Sequence, residues 1–176
     1  MKKVLFAIIL SFITLYVSAQ KEINQYNPEN TFEKGVLLFE NQHYASALEC
    51  FEQYISFTDD KNKDKVIMAK YYEAASTLFL EESDGENKIT TFIRENPTVL
   101  IADKAKLLYA NYLFKTRKYR DALKAYNSTN TKNLNKEGQD ECDFKQAYCY
   151  YQTQEVAKAI PIFEKLIKRT SQHRIT

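Results

Sequence analysis

The chain has 176 residues, of which 44% are hydrophobic and 27% charged, with 25 Lys and Arg against 23 Asp and Glu. This balance is typical of a globular domain with its own core and excludes a disordered chain. Lys2 and Lys3 account for the small positive excess, so the rest of the chain is neutral and lacks the basic surface that nucleic-acid binding requires. Only three Gly and three Pro occur, which favours helices over a many-turned β fold.

Residues 1–19 have the pattern of a secretory signal peptide. Two lysines precede an apolar run from Val4 to Val17. Small residues at the end of this run, up to Ala19, form the pattern of a cleavage site. The run is short for a membrane-spanning helix, which needs about 20 residues; an uncleaved membrane anchor is the alternative. We therefore expect an exported protein, periplasmic or associated with the cell envelope, that is cleaved after Ala19 and continues with a short linker over 20–27.

The strongest signal is an internal repeat. A small residue inside an apolar helical pattern recurs at intervals of 36 to 39 residues, and an aromatic residue follows each one after 16 to 18 positions. Because two helices approach closely only where a small side chain lies at their crossing, and a ring can fill the space toward the next pair, this pattern predicts stacked helix-turn-helix pairs. The small residues are Gly35, Ala74, Ala110 and Ala147, and the rings are Phe51, Phe92, Tyr126 and Phe163.

Three of the four units share two further positions. A second small residue follows the first by 12, and an aromatic residue precedes it by three, except in the last unit, where valine takes that place. These positions resemble the tetratricopeptide repeat. The resemblance covers residues 28–167 and implies an all-α, tetratricopeptide-like α-solenoid of about four helix-turn-helix pairs, with a basic polar tail at 168–176. The shared positions are Ala47, Ala122 and Ala159 for the small residue, and Tyr44, Tyr119 and the exception Val156 at the turn.

The second unit departs most from this pattern. Residues 81–86 form an acidic turn longer than the others, and Lys88 or Ile89 stands where a small residue is expected. We therefore expect Gly85 to lie in the turn and the helix that follows to be splayed or shortened, ending before proline. The segment Phe92-Ile-Arg-Glu-Asn-Pro97 resembles large envelope repeat proteins of Bacteroidota-like bacteria.

No pattern in the sequence predicts catalysis, a metal site or a cofactor. His43 and His173 lie near opposite ends of a predicted solenoid, and there is no nucleophile motif, phosphate loop or calcium loop. Cys142 and Cys149 are two helical turns apart, about 10.5 Å, which is too far for a disulfide. We expect these two and Cys50 to be buried free thiols; an intermolecular bridge is the alternative. The sequence therefore favours a non-enzymatic protein.

The resemblance also implies that the first helix of each pair lines a concave surface that binds a protein or peptide. Aromatic side chains on such a surface can anchor a bound segment. The alternative for each ring is that it packs between helices. Repeat phase places Leu78, Asn111 and Phe144 on this strip, and the residues expected to contact a partner are Phe39, Tyr71, Leu107, Phe114, Tyr148 and Tyr151.

The last predicted helix presents an apolar stripe made of Ile160, Phe163, Leu166 and Ile167. The basic tail is too short to be the polar capping helix that usually ends a stack of repeats, so we expect self-association through this stripe. The leading interpretation is a protein-binding scaffold. The alternatives are a truncated part of a longer repeat array without a partner of its own, and a glycan-binding envelope protein, which the lack of Trp disfavours.

Overall fold

The computed structural model describes the chain over 27–58 and 63–172. The predicted signal peptide and nearly all of the predicted linker lie outside these residues. Eight α-helices make up most of the described part, which contains no β-strand. They are α1 (Pro28–Glu40), α2 (Tyr44–Phe57), α3 (Lys63–Phe79), α4 (Gly85–Glu95), α5 (Leu100–Lys115), α6 (Tyr119–Ser128), α7 (Lys136–Gln152) and α8 (Val156–Gln172), with one short 3-10 helix, Thr131–Asn133, before α7.

The helices form four pairs stacked in chain order. Each helix packs on the next, and the first helices α1, α3, α5 and α7 also pack on one another in succession. Within the described residues, the second helices α2, α4, α6 and α8 do not contact one another. The first helices therefore form one continuous layer of the stack, which we name the inner layer, and the second helices flank it. This confirms the predicted all-α, tetratricopeptide-like solenoid.

The turn inside each pair has the same backbone geometry. In the first pair, the N–H of His43 donates to the carbonyl of Leu38 and that of Gln42 to the carbonyl of Phe39, both at 2.9 Å. This is the Schellman arrangement, which satisfies the last carbonyls of a helix and places one residue in the left-handed region. That residue is always the seventh after the small residue of the first helix. The four are Gln42, Glu81, Arg117 and Gln154, with φ of 64°, 57°, 60° and 65°.

Both sets of small residues are buried where the two helices of a pair meet. Gly35 shows how tight the crossing is, because a Cβ built on it would lie 2.9 Å from two ring atoms of Phe51. Phe51 is fully buried and stacks on Tyr72 of α3, with centroids 5.0 Å apart. The ring of Phe51 therefore links the first pair to the second. Exposure is at most 3% for Ala47, Ala74, Ala110, Ala122, Ala147 and Ala159, and at most 4% for Phe51, Phe92 and Tyr126.

The second pair differs from the expectation drawn from its sequence. Gly85 does not lie in the turn: it is the first residue of α4 and is buried. A Cβ there would lie 2.9 Å from the Cα of Leu78, so the close approach of α4 to the backbone of α3 requires glycine. The expected shortening does not set this pair apart, because α4 has 11 residues and α6 has 10. The position without a small residue is accommodated by burying Ile89, which is 0% exposed, while Lys88 pairs with Glu73 at 3.1 Å.

One buried carboxylate holds the connection between the third and fourth pairs. Asp103, 5% exposed, accepts hydrogen bonds from the backbone N–H of Asn130 at 3.1 Å and from the side chain of Asn133 at 2.6 Å. Lys106 also donates to it, at 3.0 Å. The side chain of Asn135 then accepts from the N–H of Gly138 and caps α7. At the other end of the stack, α8 continues through Gln172, five residues into the segment predicted to be a polar tail.

Candidate functional site

The inner layer contains a groove that runs across α3, α5 and α7. It consists of two adjoining clefts of about 490 and 580 Å³ that share Leu108, Asn111 and Glu141. The helices position these residues because α5 lies between α3 and α7 and contacts both of them. The first cleft is also lined by Leu78, Phe79, Glu81, Tyr112, Phe114, Lys115 and Lys145, and the second by Tyr71, Lys104, Leu107, Leu134, Asn135, Glu137 and Gly138.

Three of the six predicted contact residues line this groove. Tyr71 and Leu107 are each 9% exposed and form part of the buried core under the second cleft, so they make up its floor. Burial also raises the pKa of Tyr71, which keeps its hydroxyl neutral. Phe114 is half-buried and lines the first cleft. The floor of the groove is thus formed by side chains that also stabilise the fold.

The other three predicted residues belong to two clusters of rings. Phe39 packs with Tyr72, with centroids 5.0 Å apart. Tyr148 lies 5.4 Å from Phe114, and Tyr151 lies 6.4 Å from Tyr148 and is 57% exposed. We name the first group, Phe39, Tyr44, Tyr72 and Phe79, the N-terminal ring cluster, and the second group, Phe114, Tyr119, Tyr148 and Tyr151, the C-terminal ring cluster.

On α7 the groove-lining face differs from the expected one. Phe144 was expected on the concave strip, but it packs edge-on against Phe163 of α8, with centroids 6.0 Å apart. Gly138, Glu141 and Lys145 line the clefts instead. Their spacing of three and four residues is that of one helix face. The same periodic pattern, started three residues earlier, would have identified Glu141 and Lys145.

Sequence reasoning also missed Leu108, Tyr112 and Phe79. Leu108 and Tyr112 are four residues apart and lie beside Asn111 on α5, so a wider stripe on this helix would have included them. Phe79 is the last residue of α3 and is 43% exposed. Its position depends on stacking against Tyr44 of the neighbouring pair, at 4.5 Å, which no local pattern indicates.

The groove has an apolar floor and a rim of paired charges. Lys145 donates to Glu141 at 2.7 Å and its Nζ lies 5.6 Å from the ring centroid of Phe114. The carboxamide oxygen of Asn111 accepts a hydrogen bond from the Tyr126 hydroxyl at 2.8 Å. Its amide nitrogen donates to no acceptor in the described part of the chain, so it is available to a bound molecule. Such a surface can bury apolar side chains and hydrogen-bond to a backbone carbonyl.

The described residues include no candidate metal site, and their thiols are buried. No group of three or more His, Cys, Asp or Glu is placed to hold a metal ion between residues 27 and 58 or 63 and 172. All three cysteines are buried and unpaired by disulfide. Burial raises the pKa of Cys142 and of Cys149 to about 11, so neither is a reactive thiolate. None of the helices that the structure describes combines the length and apolar character needed to span a bilayer.

Comparison with known families finds one match. The family model of the tetratricopeptide repeat matches residues 141–170, which cover most of α7 and α8. No curated protein matches the chain, and no solved structure does. The fourth pair is therefore similar to a tetratricopeptide repeat. Such repeats generally mediate contacts between proteins and are not enzymes as a rule, which agrees with the groove described above.

Proposed function

We propose that this protein is a non-enzymatic scaffold of the bacterial periplasm or envelope that holds a segment of a partner protein in the groove. The observation that carries the proposal is the groove itself, which extends over three consecutive first helices. Its apolar floor suits the side chains of a helix or an extended segment. Export is supported by the signal-peptide pattern of the first 19 residues.

The groove is tested by capture of a partner in cells. The chain is expressed with a C-terminal tag in its native host, intact cells are crosslinked, and the proteins that co-purify are identified. The test variant carries Phe79→Ala and Phe114→Ala, and the control carries Leu37→Ala and Leu100→Ala, which remove leucines that are 60% and 69% exposed and do not line either cleft. A partner that co-purifies with the control variant but not with the test variant supports the groove as the binding site. Equal capture by both refutes it, provided both variants unfold at the same temperature.

Export is tested on the same material. Amino-terminal sequencing of the protein from the periplasmic fraction should begin at Gln20. Recovery of an intact amino terminus in the membrane fraction would contradict cleavage and favour the anchor.

A second role, self-association through α8, is favoured by one comparison within the chain. Ile160 follows the small residue Ala159 just as Leu48 follows Ala47 and Leu123 follows Ala122. Leu48 and Leu123 are 9% and 6% exposed because the next first helix covers them, whereas Ile160 is 51% exposed. In this role a helix of a second copy takes the place of that covering helix.

Light scattering coupled to gel filtration tests this role. The wild type should show a mass above that of one chain at micromolar concentration, and Ile160→Asp should return it to one chain. A wild type that runs as a single chain at every concentration would exclude self-association.

A further inference from the structure

A separate cleft, outside the groove and with different chemistry, lies at the edge of the stack, where the turns of the third and fourth pairs meet. It measures about 380 Å³ and its lining is mainly polar. It adjoins the groove through Tyr119, which lies 5.8 Å from Phe114 and 6.1 Å from Tyr148 in the C-terminal ring cluster. We name it the arginine cleft; its lining residues are Arg117, Tyr119, Arg120, Gln152, Thr153 and Gln154.

Four basic residues lie in or beside the turn of the third pair, and two of them form ion pairs. Lys115 pairs with Glu81 at 3.0 Å and Lys118 pairs with Glu86 at 2.7 Å, both toward the acidic turn of the second pair. Arg117 and Arg120 are exposed, and no carboxylate of the described residues lies within 4 Å of either one.

The other arginines of the described chain have partners. Arg169 pairs with Asp140 and Asp143, the latter at 2.6 Å, and Arg94 donates to the Thr91 hydroxyl at 3.3 Å. Two guanidinium groups that form no salt bridge with the described residues therefore face one cleft.

The remaining groups around the arginine cleft do not cancel this charge. Glu155 is the nearby carboxylate, but its Oε2 accepts from Lys158 at 2.5 Å and its Oε1 lies 3.4 Å from the Thr153 hydroxyl. Lys158 is the main partner of Glu155, and Arg120 also acts on it electrostatically. Together with Arg117, these three side chains leave the cleft a net positive charge. Gln152 and Gln154 add uncharged amide groups that can donate hydrogen bonds.

The backbone fixes one of the two arginines. Arg117 is the left-handed residue of its turn, and the N–H groups of Arg117 and Lys118 donate to Phe114 and Leu113 at 3.0 and 2.8 Å. Arg120 is in the first turn of α6. Both side chains therefore start from rigid positions, which lowers the entropy lost when they bind a common ligand.

We propose that the arginine cleft binds a carboxylate of the segment held in the groove, so that the partner carries an acidic residue beside its apolar anchor. Guanidinium groups suit this ligand because their planar N–H donors match the two oxygens of a carboxylate. The inference rests on the proposed function, since the groove supplies the apolar part of the contact. It adds a requirement on the partner that an apolar groove does not impose.

The test uses nuclear magnetic resonance of the arginine side chains in the full-length chain, with two short probes. One probe is acetyl-Phe-Glu-Glu-amide, and the matched control probe is acetyl-Phe-Gln-Gln-amide. At millimolar concentration and low salt, the glutamate probe should shift the side-chain signals of Arg117 and Arg120 and leave Arg94 and Arg169 in place. The glutamine probe should shift none of them.

Three variants sharpen the result. The double variant Arg117→Gln, Arg120→Gln should weaken binding of the glutamate probe about tenfold and leave binding of the glutamine probe unchanged. Arg94→Gln should change the binding of neither probe. Glu155→Gln should strengthen binding of the glutamate probe severalfold, because it removes a carboxylate that acts on Arg120 and frees the ammonium group of Lys158. Equal shifts of all arginines, or equal binding of both probes by the wild type, would refute the carboxylate site.

Failure of this site is distinguishable from failure of the groove. If the ring signals of Phe114 and Tyr148 shift with both probes and the arginines with neither, the groove function stands and the carboxylate site is refuted. If the arginines shift with the glutamate probe while the rings shift with neither, the cleft binds carboxylates but the groove does not take the apolar side chain. If nothing shifts, both proposals are contradicted for segments of this chemistry.

Discussion

Gly35 makes the most demanding contact in the first pair, and replacing it by alanine separates two opposite expectations. Helix propensity alone predicts stabilisation by about 1 kcal/mol, because alanine is the better helix former and Gly35 lies inside α1. Packing predicts the reverse. The new Cβ would lie 2.9 Å from Cε1 and Cζ of Phe51 and 3.1 Å from the Cβ of Cys50.

The neighbouring rings decide which effect is larger. Phe51 is 0% exposed, is stacked on Tyr72 with 9° between the ring planes, and meets Phe32 edge-on with centroids 5.9 Å apart. It cannot retreat without moving both rings, so the cost falls near the upper end of the roughly 1–3 kcal/mol typical of overpacked cores. After the gain in propensity, Gly35→Ala should lower the free energy of unfolding by about 2 kcal/mol.

Urea denaturation followed by far-ultraviolet circular dichroism measures this change. The control is Phe51→Leu, which removes the ring; in that background Gly35→Ala should cost little or even stabilise. The two substitutions should therefore couple by about 2–3 kcal/mol in a double-mutant cycle. A Gly35→Ala chain that unfolds at the same urea concentration as the wild type, or a higher one, would show that the rings are not confined as the structure indicates.

Three further predictions concern the turns, the inter-repeat connection and the thiols. Gln42→Gly should raise the free energy of unfolding by about 0.5–1 kcal/mol in urea denaturation, because glycine adopts a φ of 64° without strain, and Gln42→Val should lower it; no difference between them would contradict the left-handed turn. Asp103→Asn should cost about 1–3 kcal/mol at pH 7. Burial alone would raise the pKa of Asp103, but the hydrogen bonds from Asn133 and its other partners lower it, so its stabilising effect is complete above the unfolded pKa of about 3.9 and is lost as pH falls through the lower folded value. The difference between wild type and Asp103→Asn should therefore shrink below about pH 4, and a constant difference in thermal scans from pH 7 to 2 would argue against this role. At pH 8 a thiol with the pKa of Cys142 or Cys149, about 11, is only about 0.1% thiolate, so a thiol reagent should label them only in urea, and rapid labelling of the native chain would contradict their burial.

The stack of helix pairs was predictable from the sequence because repeat spacing is a property of the whole chain. Small residues at intervals of 36 to 39, each followed by a ring, fit an array of helix pairs and no other common fold. The fold prediction therefore did not depend on any single residue, and the departure of the second pair did not affect it.

Positions that depend on contacts between pairs were not predictable in the same way. Glycine is compatible with a turn and with a crowded helix start, so the sequence could not show that Gly85 faces the backbone of Leu78. The left-handed residues are Gln, Glu, Arg and Gln, which carry no signature for that geometry. The rotation of α7 is set by Phe144 against Phe163, a contact between two helices. A helical period fixes the spacing of a face but not the direction in which the face points.

Charge along the stack explains why the groove and the arginine cleft come together on the third pair. The turn of the second pair is acidic and that of the third is basic, and two ion pairs, Lys115 with Glu81 and Lys118 with Glu86, join them across the edge. Both ion pairs lie at the surface, where water screens the attraction between the charges, so they orient neighbouring turns more than they stabilise the fold. The turn of the fourth pair offers Gln152 and Gln154, and its carboxylate Glu155 accepts from Lys158, so Arg117 and Arg120 form no salt bridge with the described residues on that side. Because α5 supplies the groove floor and leads directly into this turn, the proposed partner segment can contact both surfaces, and the proposed preference for an acidic segment follows from the order of charges along the chain.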